Sequence, residues 1–175
     1  MKQFTQETLC FPPVDGLTVR GEFDGGALSS DFGPMILRGI DRQIGLTQRL
    51  AHAFRDSRHP SYITHSLQTL FAQRTYQIGC AYEDGNDANA LRTDPLFKLG
   101  LEWRPLDEAT DLASAPTFSR LENAATPQAL HRMAQAFVDQ FIAGYTAPPT
   151  VMVLDLDHSE DAAHGQQEQI FYNHH

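Results

Sequence analysis

Apolar residues recur along this chain at several spacings, and each spacing predicts its own element. In "LTVRGEF", Leu17, Val19, Gly21 and Phe23 alternate with Thr18, Arg20 and Glu22, the period of a strand with one buried face. The stretch "DGGALSSDFGP" ends it as a turn. Over residues 36–54 the period becomes helical, with Ile40, Ile44, Leu50, Ala51 and Phe54 on one face. Arg38, Arg42 and Arg49 share the opposite face, because offsets of four and eleven residues nearly complete whole turns. A second helix is expected to open within residues 57–61, where Pro60 suits a first turn. Its inward stripe is Ile63, Leu67, Leu70, Phe71, Ile78 and Tyr82, and "EDGND" stops it with Gly85 as a left-handed cap. Shorter helical pieces fall in "DANALRTDPLFKLG" and "PLDEATDLA". The clearest helix comes next, capped by Thr126 with Pro127 first, and lined by Leu130, Met133, Phe137, Phe141 and Ile142. After "GYTAPP", the unbroken apolar run of "VMVLDL" predicts a strand buried on both faces.

These elements divide the chain into a strand-and-turn region over residues 1–35, a mainly helical region over 36–148, and a new segment over 149–175. There are no internal repeats. A length of 175 residues suits one domain, or one small domain with part of another. Eleven Phe and five Tyr are ample for a core, which argues against general disorder. The formal net charge of −9 argues against a wholly basic DNA-binding surface but leaves room for a local stripe. Arg38, Arg42 and Arg49 form such a stripe; its plain alternative is a solvated helix face. Cys10 and Cys80 are too few and too far apart for a disulfide framework or a zinc site. No apolar run reaches membrane-spanning length and the first residues carry no secretory pattern, so a soluble, cytoplasmic protein is expected.

The chemistry gathers where "VMVLDL" ends. In an extended chain Asp155 and Asp157 project to the same side. Carboxylates at a strand tip can hold Mg²⁺, a hard cation that takes oxygen ligands, or attack a phosphoryl group directly. The plain alternative is a polar turn in which Asp157 and Ser159 cap a loop or helix after them. Asp-x-Asp-x-Ser after an apolar run also resembles the opening motif of haloacid-dehalogenase-type phosphatases, with Asp155 as nucleophile and Asp157 as general acid. That motif begins a doubly wound domain, for which the 18 residues after Asp157 do not suffice. His158, His164, His174 and His175 show no recognised metal-ligand spacing.

Three stretches in order, "YEDGNDANALRTDPLFKL", "LASAPTFSRLENA" and "VLDLDHSEDAAHGQQEQIFYNHH", resemble transposases of the insertion sequence 1380 type. "HSLQTLFAQRTYQIGCAY" resembles the region that precedes them in that group. The group belongs to the DDE class, whose catalytic fold is ribonuclease-H-like. The resemblance implies an α+β chain, with a helical N-terminal region followed by the first strands of that catalytic domain. It makes Asp157, followed by His158 and Ser159, the first acid of the triad and the metal ligand. Asp155 is the second choice, or a supporting partner. "HGQQEQIFYNHH" would be the second strand, antiparallel to the first.

The implied reaction is DNA phosphoryl transfer with Mg²⁺, in which three carboxylates converge on two ions. The second Asp and the Glu are expected beyond "FYNHH", so the expectation is a chain cut within its catalytic domain and inactive alone. The implied partners are transposon-end DNA and a further copy or full-length transposase, with no membrane. Arg38, Arg42 and Arg49 would contact phosphates, and Arg120 in "FSRLEN" would face DNA near the cleft or brace a helix. A DNA-binding module that inhibits a complete transposase is the alternative function.

Overall fold

In the computed structural model, residues 8–22, 31–105, 107 and 109–156 are described. The chain divides into two units, Met1–Gly144 and Tyr145–His175. The described part of the first unit holds a two-stranded antiparallel sheet and seven α-helices, consistent with the α+β class.

Strands β1 (Leu9–Val14) and β2 (Leu17–Gly21) form a hairpin. Its turn is Asp15-Gly16, both left-handed at φ 45° and 76°, the pairing that matches the twist of two antiparallel strands. β2 is the alternating strand that the sequence predicts. β1 carries Pro12 and Pro13, which a strand at a sheet edge tolerates, and its register with β2 shifts between Phe11 and Val14.

The single helix expected over residues 36–54 is two helices, α1 (Gly33–Ile44) and α2 (Leu46–Ala53). Gly45 breaks it in a left-handed conformation (φ 68°), donating its N–H to the Asp41 carbonyl. The Asp41 carboxylate then starts α2, accepting from Thr47 N at 2.9 Å and from the Thr47 hydroxyl. Tyr76 also donates to Asp41, and burial, followed by that carboxylate, pushes its phenol well above the ordinary range.

The expected apolar face of α1 is turned outward. Ile40 and Ile44 are exposed, whereas Pro34, Met35 and Arg38 are buried. The cause is polar. With that rotation Arg38 reaches Glu102 and the carbonyls of Pro12 and Pro13, and Asp41 reaches Thr47 and Tyr76.

A 3-10 turn at Pro60–Tyr62 precedes α3 (Leu67–Gly79), which Ser66 caps through Thr69 N at 3.0 Å. The helix thus starts later and ends earlier than its apolar stripe suggests. Ile78 is exposed, and the left-handed residue after it is Ala81 (φ 66°) rather than Gly85. α4 (Asp87–Ala90) and α5 (Pro95–Gly100) occupy the polar stretch where short helices are expected. The described residues of "PLDEATDLA" are not helical. Gly100 is required where α5 meets α1, because a Cβ there would sit 2.9 Å from Pro34 Cβ.

α6 (Ala115–Asn123) is a helix that the apolar pattern does not announce. The segment before it is clamped by Gln73, whose amide donates to Ala113 O at 2.9 Å and accepts from Ala113 N at 3.0 Å. α7 (Pro127–Ala143) has the expected Thr126 cap and Pro127 start. Its inward face differs: Ala129 and Ala136 are buried, with Met133 packed against the core, while Leu130, Phe137, Phe141 and Ile142 are exposed. Small residues let α7 lie against α2, where Leu50 and Ala51 join Phe71 of α3 in one cluster. Arg132 Nε completes the contact by donating to Ala53 O at 2.7 Å, an orphan carbonyl of the α2 terminus.

In the second unit, residues 145–156 are described and contain no strand. The expected buried strand over residues 151–156 is therefore absent from the described structure, and Val153, Leu154 and Leu156 are exposed. A strand needs a neighbour to satisfy its backbone, and the paired strands among the described residues are β1 and β2.

Candidate nucleic-acid interface

The arginines of the expected stripe have different surroundings. Arg38 is 2% exposed and donates through Nε and Nη2 to Glu102 Oε1 (3.3 and 3.1 Å), and to the Pro12 and Pro13 carbonyls (3.1 and 3.4 Å). Arg42 is exposed and donates to the same Oε1 at 2.7 Å. Arg49 lies on α2, exposed. Arg120 lies exposed on α6, one wall of a basic cavity.

This cavity, about 480 Å³ in volume, lies between the loop that leaves α2, the approach to α3, and α6. Arg55, Arg58, Arg92 and Arg120 line it, with Asp56 the acidic group among its lining residues. Local backbone geometry sets their positions. Phe54 turns extended at the end of α2 (φ −96°, ψ 145°), which starts the loop carrying Arg55 and Arg58. Asp56 and Arg58 then form a two-pronged pair at 2.8 and 2.7 Å, and Arg58 Nη1 donates to His65 O at 3.0 Å. Arg58's hydrogen bonds hold Asp56 below the usual carboxylate range, so the pair stays ionised at neutral pH. Arg92 is fixed by Asp111 at 3.0 Å. Arg55 and Arg120 have no counter-ion among the described residues.

His65 separates this cavity from a second, of about 890 Å³. Its ring stacks on Trp103 with centroids 5.5 Å apart and planes 14° from parallel. Its Nδ1 is buried without a hydrogen-bond partner among the described residues. Burial, then the charges of Arg58 and Arg92, lower its pKa and favour the neutral imidazole. The second cavity has the opposite character, with Asp15, Glu102, Asp107 and Asp111 outnumbering Arg92 and Arg104.

A family profile, transposase DDE domain group 1, matches residues 11–175. The chain belongs to that family. No curated protein and no solved structure matches it. Membership in the DDE transposase family brings a DNA substrate with it and gives the basic cavity a chemical context.

The family's acids are placed only in part. Asp155 lies in the exposed, non-strand segment of the second unit. Asp157, expected to be the first catalytic acid, lies outside the described residues, as do His158, His164, His174, His175 and the expected second strand. Among the described residues no three His, Cys, Asp or Glu side chains gather to hold a metal ion. By themselves they therefore do not compose the divalent-metal site of a DDE enzyme. No helix among them is long and apolar enough to cross a membrane.

Sequence reasoning singled out Arg120 but not Arg55, Arg58, His65 or Arg92. The signal for the first three was density rather than period: "FRDSRHPSYITH" concentrates cations, hydroxyls and aromatic rings around a proline. Arg92 gave no such signal, because its place in the cavity depends on Asp111 and Leu112.

Proposed function

We propose that this DDE-family chain acts in the transposition of an insertion sequence of the 1380 type, binding transposon-end DNA through its first unit. The observation that supports this most directly is the cavity formed by Arg55, Arg58, Arg92 and Arg120 in a chain whose formal net charge is −9. Phosphate binding needs guanidinium or ammonium groups, and here they gather against the overall charge. Arg42, Arg49 and Arg120 are exposed and suited to backbone contact. Arg38, held by Glu102 and two carbonyls, supports the surface from beneath. Asp157 is the proposed first acid of the triad and ligand for Mg²⁺ in the family's ribonuclease-H-like catalytic domain, with Asp155 as a supporting group. Mg²⁺ would supply charge neutralisation and nucleophile activation.

The basic cavity also favours a second function, a DNA-binding module that inhibits a complete transposase, since its lining residues all precede Asp155. Gel shifts with duplexes carrying the sequences that flank the coding frame test DNA-end binding. Binding should fall with rising salt, and the slope should shrink when Arg42, Arg49 and Arg120 become Gln. Equal affinity for flanking and unrelated duplexes would remove the transposon-end reading. A plasmid-nicking assay with Mg²⁺ or Mn²⁺ separates the two functions: nicking lost in Asp157→Ala supports the enzyme, and inhibition of an active transposase without nicking supports the module.

A further inference from the structure

We propose that the basic cavity holds one nucleotide unit of a DNA strand, with the phosphodiester against Arg55 and Arg120 and the base on the exposed ring of Tyr62. The proposal rests on the DNA-binding function above and adds the site and mode of contact. Asp56 and Asp111 compensate Arg58 and Arg92, so the uncompensated charge comes from Arg55 and Arg120. The neighbouring cavity is acidic and repels the same ligand, which gives the choice of cavity an electrostatic cause.

Size and surface chemistry narrow the ligand further. About 480 Å³ is within the range of small-molecule sites, and larger than a phosphate group alone requires. Ser57, Thr64, Ser114 and Thr117 add hydroxyls to the wall. Tyr62 also lines the cavity and is 84% exposed. An aromatic face beside guanidinium groups is a common platform for a base and its backbone.

The test is fluorescence anisotropy of a labelled thymidine hexanucleotide with the whole chain, at low salt. An abasic strand of equal length and inorganic phosphate serve as the other ligands. The hexanucleotide should bind saturably, the abasic strand more weakly, and phosphate most weakly. Arg55→Gln with Arg120→Gln should weaken hexanucleotide binding on the order of ten-fold, and lower the salt slope by about 0.7 for each contact removed. The corresponding double Lys variant should retain most of the affinity. Tyr62→Ala should bring the hexanucleotide down to the abasic strand. Trp103, the single tryptophan, stacks on the His65 wall and should change its emission with the same midpoint.

Unchanged affinity and slope in the Gln double variant overturn the proposal, as does phosphate binding as tightly as the hexanucleotide. Duplex-end shifts that persist beside either result leave the proposed transposition function standing and remove only this site. Saturable, Arg-dependent hexanucleotide binding without any duplex-end shift does the reverse.

Discussion

Arg38 and Glu102 meet across 64 residues of chain, with the guanidinium buried and the carboxylate at the surface. Glu102 has a left-handed backbone (φ 66°) just after α5, and that turn brings its Oε1 within reach of both Arg38 and Arg42. The same guanidinium holds the Pro12 and Pro13 carbonyls, so one side chain joins the hairpin, α1 and the end of α5.

Arg38→Met should therefore destabilise the first unit although methionine suits a buried site. A cost of about 2 kcal/mol is expected, below that of breaking a fully buried pair because Glu102 remains solvated. Glu102→Gln should cost less. Urea denaturation followed by circular dichroism measures both, and an Arg38→Met protein as stable as the parent would contradict the joint.

Gln73 makes a tighter demand, because it is fully buried and both of its bonds go to Ala113. Gln73→Leu keeps the bulk but leaves a buried N–H and C=O unpaired, at roughly 1–3 kcal/mol for each group left unsatisfied. Hydrogen exchange at Ala113 should accelerate in the variant. Protection at that amide equal to the parent's would show that its bond to Gln73 is dispensable.

α7 offers a comparison between adjacent residues. Ala136 is buried and Phe137 is exposed, so Ala136→Leu should overpack the contact with α2 and cost about 1–3 kcal/mol. Phe137→Ala should cost well under 1 kcal/mol, against about 3–5 kcal/mol for a buried Phe such as Phe118. Thermal midpoints would decide, and the reversed order would mean that α7 is rotated the other way.

Acid should weaken the fold partly through His65. Its folded pKa is lowered from 6.5, by burial first and then by Arg58 and Arg92. Below about 6.5 the unfolded chain thus binds more protons, and the stability present at neutral pH is lost as pH falls. The groups around it are Arg58 paired with Asp56, Arg92 paired with Asp111, and the Trp103 ring. Asp56 titrates below 3.8, outside this interval. Between about pH 7.5 and 5.5 the urea midpoint should drop less steeply in His65→Asn than in the parent. Identical slopes would remove His65 as a contributor.

Several elements were legible because their signals are local. Thr126 and Pro127 mark the start of α7 through a hydroxyl cap and a residue that needs no N–H. The alternation from Leu17 marks β2. β1 was hidden by Pro12 and Pro13, although Asp15-Gly16 between two apolar runs is a strong hairpin signal. The break at Gly45 was concealed by an apolar period that continues through it. Of the candidate site, Arg120 was singled out, while Arg55, Arg58 and Arg92 join it only through the path of the chain. Asp157 was visible with Asp155 at the end of an apolar run, its role as first acid came from the family resemblance, and it lies outside the described residues.

Taken alone, the amino-acid order determined the alternation of β2, the cap and start of α7, and that an acidic chain carries the motifs of a DDE transposase. Tertiary structure decided which helix faces turn inward and which cations share a cavity. Period and caps record the geometry of a few consecutive residues. The choice between Ile40 and Arg38, or between Phe137 and Ala136, depends on the surface opposite: a carboxylate 64 residues away in one case, and the side of α2 in the other.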